Sequence, residues 1–246
     1  MHSRPLVLAH RGASDQAPEN TLAAFRRALE AGADGVELDV HLSRDGEIVV
    51  IHDEQVDRTT DGSGPVKNLT LAQLKALDAG SWFDSRFRGE RIPTLAEVLE
   101  AIGPACRLIN VELKSGRVLY PDLERKVVET LRRFGVLEKC VISSFNHYSL
   151  RLLKHVEPAA RTGVLYVEGL VDPWVYARQV PADAIHPPFY ALLPEVVKGA
   201  HAAGFAVHTW TVDAPDQMRR ALSWGVDAII TNRPGVLRGI IEEATA

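Results

Sequence analysis

The chain has 246 residues, of which 46% are hydrophobic and 24% are charged, and its formal net charge is −4. This composition is ordinary for a globular protein, and the length fits one α/β barrel of about 250 residues better than two full domains. Because acidic and basic residues are spread along the chain without forming a basic face, we do not expect nucleic acid as a partner.

The N-terminus does not predict a targeting segment. Only "MHSR" precedes the first apolar run, which leaves no room for the hydrophobic stretch of a signal peptide. No later segment has the length and apolar character of a membrane span. The two cysteines, Cys106 and Cys140, lack metal-binding spacing and indicate buried thiols in a reducing compartment. We therefore expect a cytoplasmic protein, and the sequence does not indicate its oligomeric state.

Short β-rich runs alternate with amphipathic helical stretches along most of the chain. The runs lie at 5–10, 35–40, 107–113, 140–145, 162–167, 183–188, 205–210 and 227–231. Alternation of this kind predicts βα units and a parallel sheet, and eight strands are the number that closes a TIM-type (β/α)8 barrel. We therefore expect residues 1–246 to form a single catalytic domain.

A further strand-like run at 47–53 follows the second run almost directly. Only "LSRDG" separates the two, whereas a parallel neighbour needs a connection of a dozen or more residues. The Asp-Gly pair within this linker is a hairpin turn signal. The run should therefore fold back as an extra antiparallel strand, which would bring His52 beside Leu38 and Asp39.

The regular alternation lapses in a segment of about 54–93. This segment is rich in glycine, polar residues and aromatic pairs, with one short helical stretch around 70–77. An insertion of this size in a barrel normally lies on a loop at one end. We expect it to cover the active-site end, and we expect the next regular helix to begin near Thr94.

Three carboxylates lie at the ends of predicted strands. Glu37 and Asp39 face the same way because strand side chains alternate, and Glu112 ends another strand. Catalytic groups of barrel enzymes come from the C-terminal ends of several strands. Three acids there would form an oxygen-rich site that suits one divalent cation, Mg²⁺ or Ca²⁺, better than zinc. The alternative interpretation is a structural network of ion pairs.

Two cations and two histidines accompany these acids. Arg11 and Lys114 supply fixed positive charge, and the planar guanidinium suits phosphate oxygens. Metal, cations and anion-binding groups together favour phosphoryl transfer. His10 and His52 then form a candidate general acid/base pair, since imidazole titrates near neutrality. The same two imidazoles could instead bind a transition metal.

Four further residues are candidates for substrate contacts. Glu19 and Asn20 lie in the loop that follows the first strand. Trp210 ends a strand at the rim of the predicted barrel, where it could form an apolar wall for the carbon atoms of the substrate. Phe145 has a similar but weaker claim. A tryptophan packed in the core explains the first of these aromatic positions equally well.

The remaining histidines are expected to have structural roles. His41 shares a strand face with Glu37 and Asp39, but it lies further along the hairpin, above the level of the metal site. His186 and His208 fall in predicted strands, where we expect them to line the barrel and to satisfy neighbouring groups.

Several short motifs occur in an order that resembles a known family. They are "HRG" at 10–12, "PENT" at 18–21, "ELD" at 37–39, "HD" at 52–53, "VELK" at 111–114, "SSF" at 143–145, "WTVD" at 210–213 and "DAIITNRP" at 227–234. Together they resemble the glycerophosphodiester phosphodiesterases, in particular the compact cytosolic bacterial members. The resemblance covers nearly the whole chain and includes an insertion after "HD".

This resemblance implies a TIM-type barrel that hydrolyses glycerophosphodiesters to sn-glycerol 3-phosphate and an alcohol with the help of a divalent cation. It also implies counterparts of the family's metal ligands, acid/base histidines and phosphate-binding residues. These are, respectively, Glu37, Asp39 and Glu112; His10 and His52; and Arg11 and Lys114, with Glu19 as a further site glutamate.

The expected mechanism is in-line attack at phosphorus. The cation, Arg11 and Lys114 would hold the non-bridging oxygens, while one histidine accepts a proton from the nucleophile and the other protonates the leaving alkoxide. We favour His10 as the base and His52 as the acid. The sequence leaves open whether the nucleophile is water or the glycerol 2-hydroxyl, which head group the substrate carries, and which of the two ions is used.

Two other functions are consistent with the same residues. A lysophospholipase D-like activity would need an apolar groove for an acyl chain, which we expect around Trp82, Phe83 and Phe87 of the insertion. A non-catalytic phosphodiester-binding barrel would bind metal and ligand without turnover. The presence of both His10 and His52 argues against this last alternative, because a binding protein has no use for two proton carriers.

Overall fold

A computed structural model describes residues 4–245, so the ends of the expected domain 1–246 lie outside the described residues. Eight parallel strands form the barrel. They are β1 (Leu6–His10), β2 (Gly35–Leu42), β4 (Leu108–Leu113), β5 (Cys140–Ser144), β6 (Arg161–Leu165), β7 (Ala184–His186), β8 (Ala206–Thr209) and β9 (Ala228–Thr231). β1 pairs with both β2 and β9, which closes the barrel. The predicted (β/α)8 fold is confirmed.

The extra strand β3 (Ile48–Val50) lies outside the closed barrel and pairs antiparallel with β2. Val50 is opposite Val40, so continuing the register by two residues puts His52 level with Leu38. The amide of Ile51 still donates to the carbonyl of Asp39 at 3.1 Å. The hairpin predicted from the Asp-Gly turn is therefore present, and it carries His52 back to the middle of β2, beside Leu38.

The described residues form nine α-helices, and threonine side chains cap the first free amide groups of three of them. The helices are α1 (Leu22–Glu30), α2 (Leu71–Ala76), α3 (Leu95–Ile102), α4 (Leu123–Arg133), α5 (His147–Val156), α6 (Pro173–Gln179), α7 (Pro194–Ala202), α8 (Pro215–Trp224) and α9 (Pro234–Thr245). Thr21 caps α1, and Thr94 forms a capping box at the start of α3. Helix α3 thus begins where the sequence predicts. No helix within residues 4–245 combines the length and the hydropathy of a bilayer-spanning segment.

Outside the barrel interior, the described apolar side chains form three separate buried clusters. Two large clusters lie between the barrel and the outer helices; one contains Phe25 and Leu99, and the other contains Leu150 and Leu237. A smaller cluster beneath the insertion packs Val49 of β3 against residues up to Ile92. The insertion therefore has its own apolar support, with the short helix α2 where the sequence predicts one.

The barrel interior changes from apolar to polar along the strands. Its apolar part is Leu8, Leu108, Val141, Ala228 and Ile230. Because side chains alternate along a strand, His10 faces the same way as Leu8, and Glu112 faces the same way as Leu108. The polar residues therefore gather at the C-terminal end of the barrel, where barrel enzymes carry their active sites.

Candidate active site

Glu37, Asp39 and Glu112 converge inside the C-terminal end of the barrel. Asp39 and Glu112 are directly paired across β2 and β4. One carboxylate oxygen from each of the three residues lies within 4.8 Å of the others, and all three side chains are buried. Such proximity is unfavourable for carboxylates unless a cation balances their charge.

Arg11 and Lys114 supply part of that balance. Arg11 Nε lies 3.4 Å from Asp39 Oδ2, and Lys114 Nζ lies 2.8 Å from Glu112 Oε1 and 3.7 Å from Asp39 Oδ1. Burial alone would raise the pKa of Asp39, but Lys114 and Arg11 hold it well below its usual range. Two cations leave one of three ionised carboxylates uncompensated.

The pKa values of the other two acids reflect this excess of negative charge. Burial, together with the Asp39 and Glu112 carboxylates, raises the pKa of Glu37 well above its ordinary value. Burial raises the pKa of Glu112 to about 7, with Asp39 adding to the effect and Lys114 opposing it. A divalent cation would supply the missing positive charge and displace these protons.

Unused acceptor atoms in the same place also fit a hard cation. Asp39 Oδ1 and Asn20 Oδ1 are both buried and accept no hydrogen bond within residues 4–245. The side-chain amide nitrogen of Asn20 donates to Asp39 Oδ2 at 2.9 Å, so the unbonded Oδ1 of Asn20 lies beside the carboxylates. Carboxylate and amide oxygens are the donors that Mg²⁺ and Ca²⁺ prefer.

The loop after β1 brings Arg11 and Asn20 to this position through an unusual backbone. Both residues have positive φ angles, 57° and 56° respectively. The backbone N–H of Asn20 donates to the carbonyl of Arg11 at 2.9 Å, and the backbone N–H of Arg11 donates to the carbonyl of Glu37 at 2.9 Å. Gly12 has a φ of +87°, and a β-carbon there would lie 2.6 Å from the backbone of Ala24. A glycine is therefore required at this position.

His10 is held by an amide at the end of the neighbouring strand β9. Its Nδ1 lies 2.7 Å from Asn232 Oδ1, and Asn232 Nδ2 in turn donates to Asp213 at 2.6 Å. Because an amide oxygen only accepts, the proton lies on Nδ1, and Nε2 has a free lone pair. Burial, with Arg11 nearby, lowers the pKa of His10 to about 4, which keeps the ring neutral.

His52 is held by a carboxylate. Its Nδ1 lies 2.6 Å from Asp53 Oδ1, and its Nε2 accepts from Lys114 Nζ at 3.2 Å. Arg58 donates to both oxygens of Asp53, at 2.7 and 3.1 Å. These hydrogen bonds lower the pKa of Asp53 to about 2, so it stays ionised beside the imidazole.

Glu19 lies between two arginines and does not join the carboxylate cluster. Arg11 donates to its Oε1 at 2.9 Å, and Arg58 donates to both of its oxygens at 2.8 Å. Glu19 therefore links the loop after β1 to the first part of the insertion, and it fixes the guanidinium of Arg11.

One cavity contains the predicted reactive and apolar groups together. Its polar lining includes His10, Arg11, Glu37, His52, Asn110, Glu112 and Lys114, and its apolar lining consists of Phe145, Leu165, Trp210 and Ile230. The Phe145 and Trp210 rings meet edge to face at 5.7 Å. Trp210 Nε1 donates to the carbonyl of His186 at 2.8 Å, which leaves its apolar ring surface for the cavity.

The sequence matches the glycerophosphoryl diester phosphodiesterase family over residues 10–236. The chain belongs to this family. A glycerophosphodiester phosphodiesterase of Caldanaerobacter subterraneus subsp. tengcongensis is 50% identical over 240 residues, which cover 98% of this chain and 99% of the relative. One of Bacillus altitudinis is 39% identical, with 96% of this chain and 98% of the relative covered.

Solved structures of the family have the same fold. A phosphodiesterase of Oleispira antarctica, in complex with the product sn-glycerol 3-phosphate, has a TM-score of 0.90 at 33% identity, with 97% of each chain covered. A glycerophosphodiester phosphodiesterase of Agrobacterium tumefaciens has a TM-score of 0.85 at 32% identity, with 96% of this chain and 99% of the other covered. The predicted family and enzyme class, a phosphoric diester hydrolase, are confirmed. Enzymes of the family generally depend on a divalent metal ion.

The family motifs also contain residues whose contacts with the site histidines the sequence does not predict. Asp53, Asp213 and Asn232 orient the two histidines, and Arg58 holds Asp53. Asp53 directly follows His52 in "HD", and this adjacency in sequence could have indicated that it contacts the imidazole. Arg58 lies in the insertion, outside every motif, and sequence patterns give no sign of its contacts.

Two expectations about other residues are wrong. Phe83 and Phe87 border a surface depression beside α1, and Trp82 packs edge to face on Phe83, so these rings do not form a groove at the cavity of this phosphodiesterase. His186 and His208 line the barrel as expected, with ring centres 4.7 Å apart, but they do not satisfy neighbouring groups. Both nitrogens of His186 and Nδ1 of His208 lack hydrogen-bond partners in the described part of the chain.

Proposed function

We propose that this phosphodiesterase hydrolyses glycerophosphodiesters to sn-glycerol 3-phosphate and an alcohol by in-line attack at phosphorus. The supporting observation is that one cavity is lined by two of the three clustered carboxylates, two cations and two oriented imidazoles. The product bound to the Oleispira antarctica relative is consistent with this substrate class. We further propose that residues 1–246 act as one catalytic domain in the cytoplasm, with the insertion 54–93 at the active-site end.

Glu37, Asp39 and Glu112 would hold a divalent cation, Mg²⁺ or Ca²⁺, because all of their donors are hard oxygens. When bound, such an ion polarises the phosphoryl group and offsets its developing negative charge. We propose the histidines as proton carriers, because an all-oxygen site for a hard cation does not need imidazole ligands.

Arg11 and Lys114 would bind the non-bridging phosphoryl oxygens. Arg11 Nε is buried and makes no hydrogen bond within residues 4–245, so it has a donor available. Lys114 donates to Glu112 and to His52 Nε2, and a phosphoryl oxygen would compete for that ammonium. Substrate binding would then release His52 Nε2 from Lys114 and leave it available to the leaving oxygen.

The two imidazoles would have different roles because their partners differ. His10 faces the neutral amide of Asn232 and has its Nε2 lone pair free, which suits a base that accepts the proton of the nucleophile. His52 faces the ionised Asp53, which stabilises an imidazolium and suits an acid that protonates the leaving alkoxide. A glycerophosphodiester without the 2-hydroxyl distinguishes water from the glycerol hydroxyl as nucleophile.

The direct test is release of glycerol 3-phosphate from several glycerophosphodiesters, after chelation and after readdition of Mg²⁺, Ca²⁺ or Mn²⁺. We expect no product in chelator and recovery with at least one ion. Glu112→Gln should lower activity at every ion concentration. Full activity in chelator, or no product with any ion, would contradict the proposal.

An exposed apolar rim favours lysophospholipids as a second candidate substrate. Large apolar side chains lie exposed in the segments after β4, β5, β6 and β7; they include Leu119, Tyr148, Val167, Leu170, Val171, Tyr190 and Leu193. Phe145 is both exposed and part of the cavity lining, so it connects this rim to the reactive groups. Exposed patches of this kind commonly mark interaction sites.

Glycerophosphocholine and long-chain lysophosphatidylcholine distinguish the two substrates. If the rim binds an acyl chain, Val171→Asp should raise KM for lysophosphatidylcholine and leave glycerophosphocholine turnover unchanged. Val156→Asp, at an exposed position near the end of α5, is the control. Equal effects of Val171→Asp on both substrates would exclude the acyl-chain role of the rim.

A further inference from the structure

His41 is a fully buried histidine that none of the steps above uses. It lies on β2, beyond Asp39, and its relative exposure is 0%. Its Nε2 is 3.0 Å from the main-chain oxygen of His52, and its Nδ1 is 2.9 Å from the hydroxyl of Tyr120. The two rings of His41 and Tyr120 meet edge to face at 5.6 Å.

The partners of His41 determine the direction of both hydrogen bonds. The carbonyl of His52 only accepts, so Nε2 of His41 must carry the ring proton. In a neutral ring Nδ1 then accepts, and the Tyr120 hydroxyl donates to it. The result is a directional chain from Tyr120 through His41 to the backbone of His52.

The backbone of His52 needs this support because it lies beyond the regular sheet. Strand β3 ends at Val50, and the last bond to β2 is donated by the Ile51 amide. The hydrogen bond from His41 acts one residue later, at the carbonyl of His52. Asp53 orients the imidazole, whereas His41 holds the peptide from which that imidazole extends.

We propose that His41 and Tyr120 are positioning residues that place His52 as the proton donor to the leaving alcohol. This inference rests on the proposed role of His52. A displacement of about 1 Å at a reacting group can cost on the order of 10²-fold in rate, so a bond that fixes one backbone position is sufficient to matter.

His147 supplies a matched control for this arrangement. Its Nδ1 is 2.8 Å from the hydroxyl of Tyr176, and its Nε2 is 2.7 Å from the carbonyl of Leu165. The pattern of tyrosine hydroxyl, imidazole and main-chain oxygen is the same, but the carbonyl belongs to a residue that transfers no proton.

The test uses two substrates that differ in their need for a proton donor. Glycerophosphocholine releases an alkoxide that requires protonation, whereas a 4-nitrophenyl diester of glycerol phosphate releases a stable phenolate. His41→Leu should lower kcat on glycerophosphocholine about 10–100-fold and on the nitrophenyl ester less than about 3-fold, with KM and metal affinity unchanged. His41→Gln keeps a side-chain donor and should restore most of the activity. Tyr120→Phe should show a smaller loss in the same direction.

His147→Leu should affect the two substrates equally. The inference is wrong if each of the variants His41→Leu, His41→Gln and Tyr120→Phe loses the same factor in kcat on both substrates, because His41 would then have only a structural role. It is also wrong if none of these variants loses activity. If His41→Leu does not fold, the Gln and Phe variants still decide the question. His52→Ala separates the two proposals. If its loss of kcat is the same on both substrates, the proposed acid role of His52 is wrong. If His52→Ala loses more activity on glycerophosphocholine but the His41 variants do not, the proposed role of His41 is wrong.

Discussion

The residues that orient the two histidines come from distant parts of the chain. Asn232 is 222 positions away from His10, and Asp213, which holds Asn232, lies 19 positions before Asn232. The histidines themselves could be predicted because each ends a recognisable run. Their partners could not, since no periodicity or spacing links residues that meet only when the barrel closes. Asp53 is the exception, because it follows His52 directly.

Alanine at His10 or His52 should remove one proton carrier and leave the carboxylates and cations in place. We expect kcat to fall about 10²–10⁴-fold in each variant. KM should change little, because Arg11 and Lys114 still bind the phosphate. Steady-state kinetics on glycerophosphocholine measures both values. His155→Ala, at an exposed position on α5, is the control, and wild-type turnover by both site variants would exclude the acid/base assignment.

The regular elements could largely be predicted from the sequence, whereas the irregular segments could not. Each of the eight apolar runs overlaps a barrel strand, although β2 continues two residues beyond its run and the runs at 162–167 and 183–188 extend two residues too far. The hairpin could be predicted because its connection is too short to join two parallel strands. The fold of the insertion depends on which apolar residues it buries, and the sequence did not show that Trp82 and Phe83 pack beside α1 and away from the cavity.

The loop between β1 and α1 is tight enough to make its glycine indispensable. Gly12→Ala combines a positive φ with a contact of 2.6 Å to the backbone of Ala24. We expect a loss of more than about 1 kcal/mol in the free energy of unfolding, together with a lower kcat because Arg11 is displaced. Gly89→Ala shares the positive φ but meets no atom within 4 Å, so its loss should be smaller and its activity normal. Denaturant unfolding compares the two variants, and equal losses would exclude the steric explanation.

The barrel brings three carboxylates that repel one another together at the C-terminal ends of its strands. Raising the pKa of Glu112 from its ordinary 4.5 to about 7 means that the folded state favours the protonated acid. Without a cation, this contribution to stability is complete below pH 4.5 and is lost as the pH rises to about 7. Without a cation, the carboxylate cluster therefore lowers the free energy of unfolding near neutral pH.

Glu112→Gln should remove this pH dependence. In chelator, we expect the variant to be more stable than the wild type at pH 8 and to lose less stability between about pH 4.5 and 7. Thermal unfolding across this range measures the effect. Glu100→Gln, at an exposed position on α3, should follow the wild-type curve. A wild-type curve that rises with pH over the same interval would show that the carboxylates do not repel one another as described.

The hairpin of β2 and β3 places His52, the proposed proton donor, outside the barrel strands that carry the carboxylate cluster. Regular pairing opposite Leu38 would turn His52 to the same face as Leu38 and away from the cavity, so His52 reaches the cavity because the chain leaves the strand after Val50. Evolution or protein engineering could therefore remove or replace the proposed leaving-group chemistry by changing this short segment, while the carboxylates and cations of the barrel stay in place.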